Sequence, residues 1–233
     1  MDAFLIVLQY VGAISFAISA TIYAVHKRTD IIGALVFSLL TCFGGGFIRD
    51  MVIGRVPPNL LVNREYHYLA LVCVLTCIVC YCLGFIGPIG AFMRRHQHSV
   101  IIELTDALGL ASFVVLGMES AIEFGKTEFV LLVFAGCITG AGGGILRDIC
   151  AAEIPSVFRK HIYLIPVIIA SIFFVLTYDK MNEIVSIIIS ILIIIIIRMM
   201  AFKFKWNLPI PKEKETEIKT EKEQKEEKEL ILK

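Results

Sequence analysis

Residues Gly44–Asp50 read Gly-Gly-Gly-Phe-Ile-Arg-Asp, and residues Gly142–Asp148 repeat the pattern as Gly-Gly-Gly-Ile-Leu-Arg-Asp. A proline follows each copy seven residues after the aspartate, at Pro57 and at Pro155. Each copy also lies at the same place in a long apolar stretch, so chance is a poor explanation of the match. The sequence therefore predicts an internal duplication with the two glycine triplets at equivalent positions.

Apolar stretches long enough to cross a bilayer occur seven times in the chain. Hydrophobic residues make up 58% of the 233 residues and charged residues only 18%, whereas a bilayer core needs roughly 20 apolar residues per helix. The predicted fold class is therefore an all-α membrane protein. Its seven transmembrane helices are expected at Ala3–Val25, Ile31–Ile53, Tyr68–Ile89, Val100–Ile122, Phe129–Ala152, Ile162–Tyr178 and Ile184–Met200.

The duplication and the odd number of spans in each half predict the topology. Residues 1–92 form one three-helix repeat and residues 98–178 the second, which must start on the opposite face of the membrane. The two repeats are then inverted, and the solute path of such proteins lies between the repeats near the midplane. The seventh helix, residues 184–203, falls outside the repeat and is expected to be peripheral. Residues 204–233 are rich in Lys and Glu and are expected to form a solvated cytoplasmic tail.

Lys and Arg in the short loops indicate the orientation of the chain, because cytoplasmic loops carry an excess of both. One side would hold Lys27, Arg28, Arg94, Arg95, Arg159, Lys160, Lys203 and Lys205, and the other Arg55, Arg64, Lys126 and Lys180. The richer side is expected to be cytoplasmic. This places a multi-pass protein in the cell membrane with its N-terminus outside and its C-terminus inside.

The glycine triplets allow two structures that can hold together. Consecutive glycines weaken a helix and favour a kink, and carbonyls freed by a kink can serve as cation ligands beside a wet cavity. Small residues also allow close helix packing, as along the ridge of Gly136, Gly140 and Gly144. The candidate pore or kink residues are Gly44, Gly45, Gly46, Gly142, Gly143 and Gly144.

Charged residues follow each triplet within the apolar spans and are candidate pore-lining or gating charges. A charge at mid-bilayer costs about 2.5–3.5 kcal/mol on insertion scales, unless the side chain snorkels to the headgroups. Neighbouring residues on a helix point about 100° apart, so we expect pairing across the halves. The expected pairs are Arg49 with Asp148 and Arg147 with Asp50.

Other polar residues in the spans are weaker candidates. Asp106 is either a gating charge or a carboxylate at a helix start. Ser15, Ser19 and Ser112 are candidate pore-lining residues, although lone serines in spans often bond back to their own helix. No enzyme motif, metal-ligand pattern or phosphate loop is recognised, so we expect no catalytic activity, no cofactor, no metal and no nucleic-acid partner.

The paired GGGxxRD motif, each copy followed by proline, resembles the prokaryotic members of the TRIC family, the trimeric intracellular cation channels. Residues 16–19, 106–110 and 158–163 are also similar to stretches of that family. The resemblance implies a homotrimer in membrane lipid with one pore in each protomer, shaped by kinked second and fifth helices. It implies conduction of monovalent cations, chiefly potassium, with sodium as another permeant ion. Bacterial relatives also carry a glycine-transporter label, so secondary transport of a small solute such as glycine is the alternative function, and a membrane scaffold without transport is a third.

Overall fold

The fold is all-helical in the part of the chain that the computed structural model describes, which is residues 2–85, 100–159 and 162–206. The predicted class of all-α membrane protein is confirmed. The loop charges Arg94, Arg95 and Lys160 and the tail from residue 207 onward lie outside the described residues. The described helices are α1 (Asp2–His26), α2 (Ile31–Ile53), α3 (Asn59–Val62), α4 (Arg64–Leu83), α5 (Val100–Glu123), α6 (Phe129–Cys150), α7 (Ser156–Arg159), α8 (Leu164–Thr177) and α9 (Glu183–Phe204).

Six of these helices, α1, α2, α4, α5, α6 and α9, are long and apolar enough to cross a membrane. The apolar helix α8, where a span was expected at Ile162–Tyr178, has only 14 residues. At 1.5 Å per residue it is about 21 Å long, which is shorter than a hydrocarbon core of about 30 Å. A seventh full-length span therefore stays a prediction.

Local signals fix the ends of α2 at the residues expected from the sequence. The Asp30 side chain accepts a hydrogen bond from the Gly33 amide at 2.7 Å and caps the start of the helix. Gly54 ends it in the left-handed region, at φ 83°, where a residue without Cβ is favoured. Helix α2 continues without interruption through Gly44–Gly46, and α6 does so through Gly142–Gly144.

The first helices of the two halves, α1 and α5, pack against each other in antiparallel directions. A Cβ added at Gly12 would lie 2.8 Å from Ser112 Cβ, and one added at Gly109 would lie 2.3 Å from the Phe16 ring. The rings of Phe16 and Phe113 stack with centroids 5.3 Å apart. Residues later in α1 therefore contact residues earlier in α5, so the two helices run antiparallel.

The glycine triplets bring the backbones of α2 and α6 into direct contact. A Cβ at Gly45 would lie 2.4 Å from the Thr139 carbonyl oxygen, and a Cβ at Gly143 would lie 2.2 Å from the Thr41 carbonyl oxygen. The contact is thus reciprocal between the two copies of the motif. It supports the close-packing interpretation of the triplets, while a kink at these residues stays a prediction.

The helix after the duplicated units packs against helices of the second half. One face of α9 is buried along Ser186, Ile187, Ser190, Ile194 and Arg198, where it packs against α5 and α8. Among the candidate spans, α4 has the smallest buried share and α9 the next smallest. The peripheral position expected for the seventh helix therefore stays a prediction.

We expect Gly45→Ala to lower the free energy of unfolding by about 1–3 kcal/mol, because the new methyl group meets a backbone carbonyl that cannot rotate away. Gly46→Ala is the matched control in the same triplet, since its Cβ would have no neighbour closer than 3.8 Å. The control should be neutral or gain up to about 1 kcal/mol of helix propensity. Thermal unfolding of the detergent-purified proteins measures both, and equal unfolding midpoints for the two variants would contradict the close-contact interpretation.

Candidate functional site

Two polar cavities enter the described helices from opposite ends of the α2–α6 contact. The first cavity has a volume of about 680 Å³ and the second about 50 Å³. The polar residues of the first cavity are Gln9, Arg49, Asp50, Arg55, Asn59, Asn63, Glu65, Tyr66, Glu119, Ser120, Glu123, Thr139 and Tyr178. Those of the second are Ser19, Tyr23, His26, Glu103, Asp106, Arg147, Ser156, Tyr163 and Arg198.

The first copy of the motif places a closed ion pair at the wall of the first cavity. Arg49 donates from Nε and Nη2 to Asp50 Oδ1, at 3.0 and 2.7 Å. The second carboxylate oxygen, Oδ2, accepts the backbone N–H of Asn59 at 2.9 Å, and Asn59 is the first residue of α3. Both charged side chains are almost fully buried, so the pairing removes the cost of an isolated buried charge.

The second copy repeats this arrangement beside the second cavity. Arg147 donates from Nε and Nη2 to Asp148 Oδ1, at 2.9 and 2.8 Å. Asp148 Oδ2 accepts the N–H and the hydroxyl of Ser156 at 2.7 and 2.8 Å, at the first residue of α7. The proline spacing of the motif therefore has a structural reason, because the chain must turn back after each span to present an amide to the aspartate.

The expected pairing across the halves is wrong. Arg49 pairs with Asp50 and Arg147 with Asp148, within one helix in each case. The Cα–Cβ directions of neighbouring residues do diverge, but the long arginine side chain curls back and reaches the adjacent carboxylate. The short helix after each motif then holds the carboxylate in that position.

A further arginine ties the first cavity to α5. Arg55 donates from Nη1 to Ser120 Oγ and from Nη2 to the Ser120 carbonyl oxygen, both at 2.8 Å. Its guanidinium carbon lies 4.6 Å from the centroid of the Phe124 ring. From the sequence, Arg55 was predicted only to be a loop charge. Its position five residues after Asp50 was the signal that could have assigned it to the site.

The second cavity contains an ion cluster that the sequence interpretation missed. Arg198 of α9 donates from Nη2 to Glu103 Oε2 at 3.1 Å and to Asp106 Oδ2 at 2.9 Å. Its guanidinium carbon lies 4.1 Å from the centroid of the Tyr163 ring. The available signal was a lone arginine in an isoleucine-rich span, which is by default a candidate functional residue.

The remaining predicted residues divide between the cavities and the contact that separates them. Gly46 lies at the first cavity, and Ser19 and Asp106 lie at the second. Ser112 donates to its own helix at the Leu108 carbonyl oxygen, 2.8 Å away. Ser15 is buried and lines neither cavity. The glycines at positions 44, 45, 142 and 143 lie in the helix contact between the cavities.

Packed side chains separate the two cavities in this conformation, and the cavities share no lining residue. Along α1 the first cavity reaches Gln9 and the second begins at Ser19, which corresponds to about 15 Å of helix. Phe16 lies between them and is fully buried against Phe113. The two cavities are therefore separate in this conformation.

The family model described as Glycine transporter matches the chain in two segments, residues 6–84 and 103–179. The chain belongs to this family. The two matched segments of this glycine-transporter family each contain one glycine triplet and one ion pair of the motif.

Named relatives of the family are bacterial membrane proteins. The UPF0126 membrane protein of Vibrio cholerae is 34% identical over 70% of this chain and 63% of its own length. The UPF0126 inner membrane protein YadS of Escherichia coli is 34% identical over 71% of this chain and 74% of its own length. The chain spans less than two thirds of the length of the Vibrio cholerae protein and 66% of that of a Deinococcus radiodurans relative. The protein is therefore a multi-pass membrane protein.

Solved structures similar to this family member are TRIC channels, which confirms the resemblance carried by the motif. A structure described as the basis for conductance through TRIC cation channels has a TM-score of 0.77 and 31% identity, covering 89% of this chain and 97% of that chain. The TRIC orthologue from Rhodobacter sphaeroides has a TM-score of 0.74 and 25% identity, covering 87% and 98%. A Caenorhabditis elegans TRIC channel, at 12% identity, shares the fold.

A double-mutant cycle is expected to place the coupling within each half. Arg49→Met and Asp50→Asn should couple by about 1–3 kcal/mol, because both members of one buried pair are changed. Arg49→Met and Asp148→Asn should add to within about 0.5 kcal/mol, since the two residues share no partner. Unfolding of purified protein measures both cycles, and a larger coupling across the halves would restore the pairing rejected above.

Proposed function

We propose that the protein is a potassium-permeable channel for monovalent cations, with no catalytic activity and with a pore inside each protomer around α2 and α6. The observation that carries the proposal is the pair of polar cavities on either side of a narrow glycine contact, each with a buried arginine–aspartate pair at its wall. Charged groups in a bilayer face a bundle interior or a wet path. The similarity to TRIC cation channels supports the same conclusion.

The proposed pore lies between inverted three-helix repeats, α1–α2–α4 and α5–α6–α8. Two observations support the inversion, namely the antiparallel contact of α1 with α5 and the reciprocal contact of the two triplets. The family model, which matches once in each half, supports the duplication. In this topology the first cavity opens on the side of the N-terminus and the second on the opposite, cytoplasmic side.

Opening of the pore requires the glycine contact and the aromatic stack between the cavities to separate. A bend at the triplets moves one half of α2 from α6 and exposes backbone carbonyls to a wet path, where they can replace part of a cation's hydration shell. The sequence contains no TVGYG filter, so the selectivity among potassium, sodium and other monovalent cations is expected to be modest. The assembly is proposed to be a homotrimer surrounded by lipid. The name of one similar channel describes that protein as trimeric, which supports the trimer.

Secondary transport of a small solute such as glycine is the second candidate, because the description of the matching family names that activity. Two cavities separated by a closed contact also suit alternating access, in which one side opens while the other closes. A transporter never opens both cavities together, whereas a channel does.

Planar-bilayer recording and solute uptake separate these functions. The proposed channel gives discrete openings in symmetric potassium chloride, and proteoliposomes show no saturable glycine uptake. Silent bilayers together with saturable glycine uptake would reject the channel in favour of the transporter. Empty bilayers and liposomes carried through the same purification serve as the control.

We expect Phe113→Ala to raise the ratio of open to closed channel about two- to tenfold, because it removes a stack worth about 0.5–1.5 kcal/mol from the closed state. Phe134→Ala is the control, since Phe134 is an exposed residue on α6. Open probability in single-channel records measures the effect. An unchanged open probability in folded Phe113→Ala protein would show that the aromatic stack does not stabilise the closed state.

A further inference from the structure

Three polar side chains of the second cavity are arranged differently from the two motif pairs. Arg49 and Arg147 each direct two nitrogens at one oxygen of a single aspartate. Arg198 instead directs one nitrogen, Nη2, at oxygens from two carboxylates, Glu103 and Asp106. Two acidic side chains thus converge on one point that carries positive charge.

The guanidinium of Arg198 donates both of these hydrogen bonds from a single nitrogen, Nη2. Arginine binds a carboxylate best through two parallel hydrogen bonds, and Arg198 makes no such pair in the described structure. The Arg198 side chain is only 5% exposed, and its Nε is buried without a hydrogen-bond partner among the described residues. A buried donor without a hydrogen bond costs free energy, so this position is less favourable for the arginine than a fully paired one.

The surroundings of Nη2 have the chemistry of a cation site. Two carboxylate oxygens lie 2.9 and 3.1 Å away, and the face of Tyr163, which also attracts cations, covers the guanidinium. Two carboxylates against one guanidinium leave one negative charge in excess, while Arg147 at the same cavity is neutralised by its own Asp148. The cavity of about 50 Å³ beside the cluster leaves space for a small ion.

Arg198 comes from a helix outside the duplicated units. The backbone N–H of Ile162 donates to the Trp206 carbonyl oxygen at 3.2 Å, which ties the end of α9 to the segment before Tyr163. A shift of α9 relative to α5 would therefore withdraw the arginine while leaving both carboxylates in place, because Glu103 and Asp106 belong to α5.

We propose that Glu103 and Asp106 form a site for a monovalent cation at the second cavity, and that Arg198 is a tethered cation that occupies this site and excludes the mobile ion. Its role in conduction rests on the proposed channel function, whereas the occupancy of the site does not. Removal of the guanidinium frees two carboxylates for a potassium ion.

The occupancy is tested by thermal unfolding of purified protein in potassium chloride against equal concentrations of N-methyl-D-glucamine chloride, a cation too large for the cavity. Arg198→Met is expected to gain a potassium-specific rise in midpoint of about 3–6 °C at a tenfold excess over the dissociation constant. The wild type and Arg198→Lys, which keeps a tethered cation, are expected to show no such rise. Arg198→Gln replaces Arg198→Met if the apolar variant does not fold.

The matched control is Arg198→Met combined with Glu103→Gln and Asp106→Asn, which is expected to fold, since a buried ionic cluster can be replaced without large loss, and to lose the potassium response. A folded Arg198→Met or Arg198→Gln protein without a potassium-specific shift would overturn the proposal. So would an equal shift in the triple variant.

Bilayer recordings distinguish failure of this site from failure of the channel. If the channel conducts, Arg198→Met is expected to raise unitary conductance at low potassium concentration. Silent bilayers together with a potassium-specific stability shift would reject the channel and support the site. Conduction by Arg198→Met that equals that of the wild type, without a stability shift, would reject the site and support the channel.

Discussion

The contact between the glycine triplets of α2 and α6 is the constraint on which the remaining structure depends. Gly45 and Gly143 each lie where a Cβ would overlap a carbonyl oxygen of the partner helix, so only glycine allows the two backbones this close. The contact closes the middle of the bundle and leaves space at its two ends. It thereby creates two separate cavities and sets the motif charges at their walls.

The buried charges are stabilised locally, and this is why the motif continues beyond its arginine. Each aspartate accepts two nitrogens of the preceding arginine and the first amide of a short helix, α3 or α7. A buried carboxylate with several donors needs no charge from the opposite half. Neither ion pair would have to break if the two halves shifted at the glycine contact, as the proposed channel or transporter would require.

The helices and the duplication could be predicted from the sequence, because they depend on apolar periodicity and on repetition. The ion-pair partners could not be predicted, because they depend on the conformations of long side chains. The bounds of α2 were predicted correctly from its apolar stretch, and the structure shows Asp30 and Gly54 capping the two ends. The pairing of Arg49 was wrong because helix geometry gives the direction of Cβ but not the path of a flexible side chain. The partners of Arg198 were missed because Glu103 and Asp106 lie on another helix, and no local pattern connects them to α9.

The two halves differ at equivalent positions, which makes the two cavities chemically different. Five residues after the motif aspartates, the first half has Arg55 and the second has Glu153. Arg55 reaches inward to Ser120, whereas Glu153 pairs with Lys27 at the end of α1. The second cavity receives its additional guanidinium from α9 instead. The duplicated helices are therefore arranged nearly symmetrically, and the residues outside the repeat pattern make the two cavities chemically different.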